Sequence, residues 1–251
     1  MRPQSSPGFL RHQATRHFQK LQTALNLALP RLCELCKQYS NTDTHLCSFC
    51  YESLAPNSCP CLICAEPVDI QHPLGCYRCH SASFAFKQCI APWLYSEEMR
   101  YLIRRWKFEG ATHLTNTLCE LFLSKTSAHP PEVDVLVPTP LHWRRQLSRG
   151  FNQSELVATA LARRLNLPVL KNVKRRQYST PQHKTRHRAD RQLNEHDFSA
   201  TNQVQGLRVA LIDDVITTGS TANAASKSLL NAGADKVQLW CLARTPFTGI
   251  P

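Results

Sequence analysis

Residues 209–221 read Val209-Ala-Leu-Ile-Asp-Asp-Val-Ile-Thr-Thr-Gly-Ser-Thr221. The first four residues are a short apolar run, as is typical of a buried parallel strand. Residues 222–230 continue with apolar side chains at helical spacing, and Gly233 ends the pattern. The stretch therefore predicts a strand, a loop and the N-terminus of a helix. Because free N–H groups and the helix dipole attract anions at such a terminus, we expect a phosphate site there.

Two adjacent carboxylates, Asp213 and Asp214, follow the apolar run and indicate which class of phosphate ligand the site binds. A nucleoside-triphosphate loop needs a lysine and more glycines, and a dinucleotide site needs a three-glycine fingerprint; the stretch has neither. At the carboxyl end of a strand, where α/β sheets bind ligands, the acids can accept hydrogen bonds from sugar hydroxyls. The alternative is an ordinary strand–turn–helix, which we disfavour because two adjacent acids there are costly without a ligand.

The stretch closely resembles the phosphoribosyl-pyrophosphate (PRPP) motif of type I phosphoribosyltransferases. The resemblance implies an α/β fold of that type, with a mainly parallel sheet flanked by helices. In that family the acidic pair holds the ribose hydroxyls of PRPP, with Mg²⁺ accompanying the ligand, and the following loop wraps the 5′-phosphate. The PRPP-binding residues implied are Asp213, Asp214, Thr217, Thr218, Gly219, Ser220 and Thr221. The acidic pair would also be catalytic if PRPP is turned over, with Asp213 stabilising an oxocarbenium-like state.

The pyrophosphate loop of that fold follows an earlier strand of the sheet. Residues 133–137 are an apolar run that predicts such a strand. The residues in the place of the loop are Pro138, Thr139, Pro140 and Leu141. The resemblance therefore implies that this segment binds the pyrophosphate of PRPP.

A basic segment, residues 174–191, predicts a mobile loop because it has hardly any apolar side chains. It follows a predicted helix over residues 154–165 and a predicted strand near residues 169–173. In the phosphoribosyltransferase fold the corresponding insertion closes over PRPP, and basic groups there would shield the leaving pyrophosphate. The candidates for this role are Arg175, Arg176 and Arg191. A plain solvated loop is the alternative.

The composition limits the classes of protein to which the chain can belong. Its 251 residues, 42% of them hydrophobic, are enough for one large domain or for a medium and a small one. A net charge of +12 favours an anionic partner, either nucleic acid or a phosphorylated metabolite. Because no apolar run approaches the roughly 20 residues of a membrane span, we expect a soluble, cytoplasmic protein.

Eight of the 12 cysteines form four Cys-x-x-Cys pairs. Two such pairs make one tetrahedral zinc site, so the spacing favours metal over disulfides. The eight expected ligands are Cys33, Cys36, Cys47, Cys50, Cys61, Cys64, Cys76 and Cys79. They predict two structural zinc ions in a double zinc ribbon. Pairing of neighbouring or of interleaved pairs, Cys59 in place of Cys61, and a redox dithiol remain open alternatives.

The chain is expected to have three parts. Residues 1–30 are a basic leader with a short amphipathic helix, residues 31–86 are the double zinc ribbon, and residues 87–251 are the phosphoribosyltransferase-like domain. The third part begins with an aromatic strand and a helix in which Trp93, Tyr95, Tyr101 and Trp106 alternate with Arg100, Arg104, Arg105 and Lys107. This pattern fits a surface for single-stranded nucleic acid, or core aromatics beside a solvated basic face.

Several motifs together resemble a narrower family. They are the four cysteine pairs, Trp106-Lys-Phe108, Arg149-Gly-Phe-Asn-Gln153, the spaced Gln182, Arg191, Asn194 and Phe198, and the PRPP motif. Over residues 30–245 they look like the competence protein ComF family, which usually has a leucine where Thr185 stands. The resemblance implies a double zinc ribbon joined to a phosphoribosyltransferase domain, and a role in natural transformation.

The ComF resemblance further implies that the protein handles incoming single-stranded DNA at the cytoplasmic side, beside DNA-translocation or helicase-like competence proteins. It establishes no reaction, and the acceptor of any transfer stays open. One alternative is a metabolic phosphoribosyltransferase with a nitrogen acceptor, although little chain follows the last strand to cover a base. Another is a non-enzymatic adaptor that binds nucleic acid or a protein. An amidophosphoribosyltransferase is disfavoured, because its nucleophilic cysteine is the mature N-terminus and the first cysteine here is Cys33.

Overall fold

A computed structural model describes residues 32–40, 42, 44–81, 83–126, 132–141, 150–171, 173–175 and 197–247. The chain divides into two compact units, Met1–Tyr51 and Glu52–Pro251. The leader and helix expected in residues 1–30 lie outside the described residues, and the domain boundaries expected from the sequence stay predictions. Among the described helices, none is long and apolar enough to cross a membrane.

The first unit is small and depends on its cysteines for a core. Its described part contains an antiparallel bridge between Leu32 and Tyr39 and the start of helix α1 (Ser48–Glu52). Cys33 and Cys50 are buried within it. A segment with so little apolar surface to bury needs a cross-link or a metal for stability.

The second unit is built on a five-stranded sheet in which every strand pairing is parallel. Its strands are β1 (Gln88–Ile90), β2 (Trp93–Leu94), β3 (Val135–Pro138), β6 (Arg208–Ile216) and β7 (Lys236–Arg244). The order is β1-β7-β6-β3, and β2 also pairs with β7. The central strands β6 and β7 carry the continuous apolar runs that burial on both faces requires. The expected mainly parallel α/β sheet is confirmed.

Helices accompany the sheet and bury the apolar faces that the sequence predicts. They are α2 (Tyr77–Ser81), α3 (Glu97–Phe108), α4 (Leu114–Thr126), α5 (Gln153–Leu165) and α6 (Ser220–Asn231). The buried residues include Met99, Leu102, Ile103 and Trp106 of α3 and Leu114, Leu118, Leu121 and Phe122 of α4. The Trp106 Nε1–H donates to Thr115 Oγ1 at 3.0 Å, which fixes α3 against α4.

Two of the aromatic side chains considered as nucleic-acid contacts are core residues. Trp93 and Trp106 are 2% and 0% exposed, and the Trp93 Nε1–H donates to the Leu121 carbonyl at 2.8 Å. Rings buried in this way cannot stack on bases, so the interpretation as a binding surface is wrong for these two residues. Tyr101 and Phe108 lie on the outside of α3, where they are 41% and 64% exposed.

Strand β6 is longer than the apolar run predicts. The run ends at Ile212, but β6 continues to Ile216 because β7 pairs with it along this whole length. β3 accompanies β6 only as far as Pro138, which lies opposite Ile212. Within the described residues, β6 therefore has a strand on one side only beyond Ile212. The acidic pair occupies this one-sided part of the strand.

A second, antiparallel pair of strands contains the start of the basic segment. Strands β4 (Val173–Arg175) and β5 (Phe198–Ala200) are in register, so Arg175 belongs to a strand and its prediction as a loop residue is wrong. The ladder with β5 supplies backbone partners that a basic sequence alone does not reveal. Arg176, Arg191 and the rest of the expected loop lie outside the described residues.

Candidate functional site

The loop between β6 and α6 has the backbone of an anion site. β6 ends at Ile216, α6 begins at Ser220, and Gly219 is the N-cap residue with φ of 80°. A glycine at this position tolerates the positive φ and offers no side-chain oxygen to the first N–H groups of the helix. The N-cap residue thus supplies no side-chain partner to these N–H groups, which suits a helix N-terminus that binds an anion. Thr217 and Thr218 are exposed beside them.

The hydroxyl groups expected to bind phosphate lie in this one turn. Thr218 Oγ1 and Ser220 Oγ are 3.1 Å apart, and the Ser220 N–H donates to Thr218 Oγ1 at 3.4 Å. Thr217 comes directly before this pair and Thr221 directly after it, in the first turn of α6. The five loop residues predicted from the sequence are thus continuous in one turn, where Thr217 and Thr218 are exposed and Gly219 is buried. The turn contains both amide and hydroxyl groups that could donate to a phosphate.

The acidic pair lies in β6 immediately before this loop. Asp213 and Asp214 are both partly buried. Asp213 Oδ1 accepts a hydrogen bond from the Asp214 N–H at 2.9 Å and one from Ser154 Oγ at 3.3 Å. Burial, and then the neighbouring Asp214 carboxylate, raise the pKa of Asp213 to about 7. At pH 7 Asp213 is therefore about half protonated, and the pair carries about half a negative charge less than two separate carboxylates would.

The remaining charge is balanced by Lys107, which sequence reasoning placed on a solvated basic face. Its Nζ lies 2.7 Å from Asp214 Oδ2, and both side chains are largely buried, 16% and 18% exposed. Trp106 anchors the same turn of α3 in the core and so directs Lys107 toward the strand. The motif Trp106-Lys-Phe108 was visible in the sequence, but only the fold connects it to the acidic pair.

The N-terminus of α5 connects the acidic pair to the expected pyrophosphate loop. Asn152 caps this helix by accepting from the Ser154 N–H at 3.1 Å, and its Nδ2 donates to the Thr139 carbonyl at 3.2 Å. Gln153, 1% exposed, donates to the Lys107 carbonyl at 3.5 Å. The Asn-Gln-Ser sequence thus holds together three parts of the site. Sequence reasoning used Asn152 and Gln153 as family signatures and gave them, and Ser154, no role.

The pyrophosphate loop begins where β3 and β6 separate. The Thr139 N–H donates to the Ile212 carbonyl at 2.8 Å, and this is the last backbone link from the β3 side before the acidic pair. Pro138 ends β3, and Pro140 and Leu141 follow Thr139 at the edge of the described segment. The position next to Asp213 suits a role in binding the ligand, and that role stays a prediction.

The eight predicted cysteine ligands form two groups made from neighbouring pairs. The first group is Cys33, Cys36, Cys47 and Cys50, and the second is Cys61, Cys64, Cys76 and Cys79. In each group the four sulfur atoms lie within 4.8 Å of one another, a spacing that one tetrahedral metal ion can bridge. Interleaved pairing is therefore wrong. Cys59 belongs to neither group, and its Sγ lies 3.8 Å from the Asp69 carbonyl.

Burial and hydrogen bonds shift the pKa values of the thiols in opposite directions within each group. At Cys33 burial opposes ionisation, but backbone and thiol hydrogen bonds outweigh it and lower the pKa to about 6. At Cys61 the same balance of burial against hydrogen bonds lowers the pKa to about 7. Burial instead raises the pKa values of Cys50, Cys64 and Cys79. Because the thiolate is the form that ligates a metal, a soft divalent ion bound by four sulfurs must displace the protons of these thiols.

Comparisons with known proteins agree with the fold. A family model described as the phosphoribosyl transferase domain matches residues 152–249. The DNA utilization protein YhgH of Salmonella typhi is 31% identical over 227 residues, which cover 87% of this chain and 99% of that protein.

Two further relatives carry competence names. Competence protein F of Haemophilus influenzae is 33% identical over 211 residues, which cover 79% of this chain and 90% of the relative. Competence protein ComFC of Bacillus subtilis is 30% identical over 194 residues, which cover 74% of this chain and 78% of the relative. The similarity to these relatives thus extends over about three quarters or more of the chain.

Asp213→Asn should make stability less dependent on pH. Because the pKa of Asp213 rises from 3.8 to about 7 on folding, the folded chain holds a proton between these values that the unfolded chain releases. The free energy of unfolding therefore falls as pH rises through this window. At pH 8 the neutral variant should exceed the wild type by on the order of 1–3 kcal/mol, and by less at pH 5.

Urea denaturation of both proteins at pH 5 and pH 8 measures this difference. Asp235→Asn, which removes an exposed carboxylate at the other end of the sheet, is the matched control and should leave the pH dependence unchanged. If Asp213→Asn and the wild type lose the same stability between pH 5 and pH 8, the assignment of a proton to Asp213 is wrong.

Proposed function

Because the chain belongs to the competence protein ComF family, we propose that it binds PRPP at the acidic pair and acts in natural competence, where it handles incoming single-stranded DNA on the cytoplasmic side. The competence names of two relatives and the DNA utilization name of a third support the biological role. The phosphoribosyl transferase match supports the ligand. DNA-translocation or helicase-like competence proteins are the proposed protein partners.

One observation carries the proposal of a PRPP site. Asp213 and Asp214 lie where β6 has lost its β3 neighbour, directly before a loop whose helix begins with a glycine N-cap. A sugar between the carboxylates and the loop would place its hydroxyls on the acids and its 5′-phosphate on the loop amides. Without such a ligand, Asp214 has Lys107 as its partner and Asp213 stays partly protonated at neutral pH.

Binding would change the charges that Lys107 and Asp213 carry in the free protein. Ribose hydroxyls donate hydrogen bonds, so they favour the ionised form of Asp213, and the proton held there is released to solvent as the sugar binds. Asp214 then has the ribose as a second partner beside Lys107. The Lys107 ammonium group can then also donate a hydrogen bond to the pyrophosphate. Mg²⁺ bound with PRPP would supply the remaining positive charge, with the carboxylates as oxygen donors of the kind it prefers.

Transfer of the ribose 5-phosphate to a nitrogen nucleophile, a metabolic phosphoribosyltransferase reaction, is the second candidate function. In it the bond from C1′ to pyrophosphate breaks, the bond from C1′ to nitrogen forms, and the nitrogen loses a proton. A carboxyl group with a pKa of about 7, as at Asp213, favours this reaction because it can accept that proton near neutral pH. A non-enzymatic adaptor would use the same PRPP site only to sense the ligand.

The two cysteine groups are proposed to bind one structural Zn²⁺ each. All four donors in each group are cysteine sulfurs, which zinc binds as thiolates in closed tetrahedral sites. A closed shell leaves no position for a substrate, so the ions would contribute to folding and to the arrangement of the knuckles.

Single-stranded DNA is proposed to contact the outer face of α3. Tyr101, Arg104 and Phe108 are exposed and follow one another at helical spacing, so they share that face. Aromatic rings that alternate with a guanidinium group can stack on bases and neutralise phosphates. Lys107 of the same helix reaches the acidic pair, which brings the proposed DNA surface close to the PRPP site.

Replacing both acids should abolish PRPP binding. A charge-assisted hydrogen bond to a ribose hydroxyl is worth about 1.5–3 kcal/mol, so Asp213→Asn with Asp214→Asn should weaken the affinity by at least about a hundredfold. Thr217→Ala should cost less, because backbone amides carry most of the phosphate contacts. Calorimetric titration of PRPP with Mg²⁺ measures the affinities, and a thermal melt confirms that each variant is folded.

Asp235→Asn serves again as the matched control and should bind PRPP as the wild type does. A wild type that binds no PRPP, or a double variant that binds equally well, would remove PRPP from the function. Loss of binding together with normal transformation in cells would leave a PRPP site that the competence role does not use.

The purified protein should contain two zinc ions per chain, since eight thiols form two complete shells. Elemental analysis of reduced, metal-replete protein gives this number. Cys36→Ser and Cys79→Ser should each lose one ion, whereas Cys59→Ser, the matched control, should keep both. A wild type with one ion or none, or a Cys59→Ser protein that loses an ion, would refute the assignment.

Removing the aromatic rings of α3 should weaken binding of single-stranded DNA. Stacking is worth about 1–3 kcal/mol per base, so Tyr101→Ala with Phe108→Ala should reduce the affinity for an oligothymidylate by about tenfold or more. Fluorescence anisotropy at several salt concentrations measures this, and Arg104→Ala should also reduce the salt dependence. Lys227→Ala removes an exposed cation of α6 as a control. Equal binding by all four proteins would exclude this face.

A further inference from the structure

One arginine of the second cysteine group reaches the candidate phosphate loop. Arg78 lies between Cys76 and Cys79 in α2, and its guanidinium group donates to the Thr218 carbonyl at 3.3 Å. It also donates to Glu66 Oε2 at 3.2 Å, and its side chain is only 20% exposed. The metal group and the loop therefore share a residue.

Glu66 ties the other half of the same cysteine group to the sheet. It follows Cys64 closely in sequence, and its carbonyl accepts from the Cys61 N–H at 2.7 Å. Its carboxylate, in a residue 8% exposed, pairs with both Arg78 and Arg244. Arg244, 1% exposed, is the last residue of β7. Buried charges are stable only when paired, so these three side chains depend on one another.

Arg244 completes the contact with the loop. Its guanidinium group donates to the Thr217 carbonyl, as that of Arg78 does to the Thr218 carbonyl. In a planar trans peptide the C=O and the following N–H point in opposite directions. The two arginines therefore turn the N–H groups of Thr218 and Gly219 away from the ribbon. These are amides that the proposed phosphate site uses.

Two further contacts support the loop from the same side. A Cβ atom placed on Gly219 would lie 3.0 Å from the Phe84 ring, so this ring is packed directly against the loop. The Ala85 N–H donates to Asn223 Oδ1 in the first turn of α6 at 2.6 Å. The segment that follows the second cysteine group thus contacts both the loop and the helix that begins after it.

We propose that Arg78 and Glu66 are positioning residues for the phosphate loop, so that a metal ion held by Cys61, Cys64, Cys76 and Cys79 controls the affinity for PRPP. The ion would fix the two Cys-x-x-Cys turns relative to each other, and each turn carries one of the two residues. Without it the turns separate, the carbonyls of Thr217 and Thr218 lose their donors, and the amides are no longer held toward the ligand. The inference rests on the PRPP site proposed above.

Arg78→Gln tests the arrangement because it removes the charge and leaves the cysteines unchanged. We expect it to retain two metal ions, to increase hydrogen exchange at the amides of residues 216–223, and to weaken PRPP by about five- to tenfold, within the usual range for coupled sites. Arg78→Lys should lie between it and the wild type. Arg163→Gln, at an exposed arginine of α5, is the matched control.

The hydrogen-exchange measurement is made without PRPP, so it separates this inference from the proposed function. Unchanged exchange and unchanged PRPP affinity in a metal-replete Arg78→Gln protein would overturn the role of Arg78. If the wild type binds no PRPP, the proposed function fails, and increased exchange in the variant still supports the link between ribbon and loop.

A second measurement covers the case in which Arg78→Gln does not fold. Because coupling between two sites is reciprocal in binding free energy, saturating PRPP with Mg²⁺ must raise the affinity of the second cysteine group for zinc. Equilibrium competition with a chelator that selects zinc over Mg²⁺ measures this affinity in Cys36→Ser, whose remaining ion is in that group. An equal zinc affinity of Cys36→Ser with and without bound PRPP would overturn the coupling.

Discussion

The carboxylates of Asp213 and Asp214 are adjacent on one strand, and the surrounding residues reduce the repulsion between them in the absence of a ligand. Lys107 pairs with Asp214 at 2.7 Å, and burial beside that carboxylate raises the pKa of Asp213 to about 7. Ser154 donates to Asp213 from the start of α5. Two helices therefore meet β6 where its apolar run ends. Such a site has a cost in stability that a sugar ligand would remove.

In the proposed PRPP site, the amides of the loop after β6 would have to face the ligand before it binds. The carbonyls behind these amides accept hydrogen bonds from Arg78, next to the second cysteine group, and from the buried Arg244 at the end of β7. Glu66 neutralises both cations and is itself hydrogen-bonded to the backbone of Cys61. The sequence pattern predicts the cysteine-rich segment as a separate domain. The second cysteine group nevertheless lies in the compact unit Glu52–Pro251, and Arg78 beside it contacts the loop.

The sequence was sufficient for the parts of the fold that depend on local patterns. The strand–loop–helix of the PRPP motif follows from periodicity, and the eight clustered cysteines follow from spacing. The mainly parallel sheet was implied by the resemblance to phosphoribosyltransferases. The ion pair between Lys107 and Asp214 could not be predicted, because it joins residues far apart in the chain. The strand at Arg175 and the extension of β6 to Ile216 were missed for a related reason: each depends on a partner strand rather than on its own residues.

The most direct test of the account is a crystal structure of the wild-type protein grown with PRPP and Mg²⁺. The account predicts ribose hydroxyls within hydrogen-bonding distance of the Asp213 and Asp214 carboxylates and the 5′-phosphate on the amides of residues 218–221. It also predicts that Arg78 and Arg244 still hold the carbonyls behind the loop. PRPP bound elsewhere, or a saturated crystal in which the acidic pair contacts only Lys107 and Ser154, would contradict it.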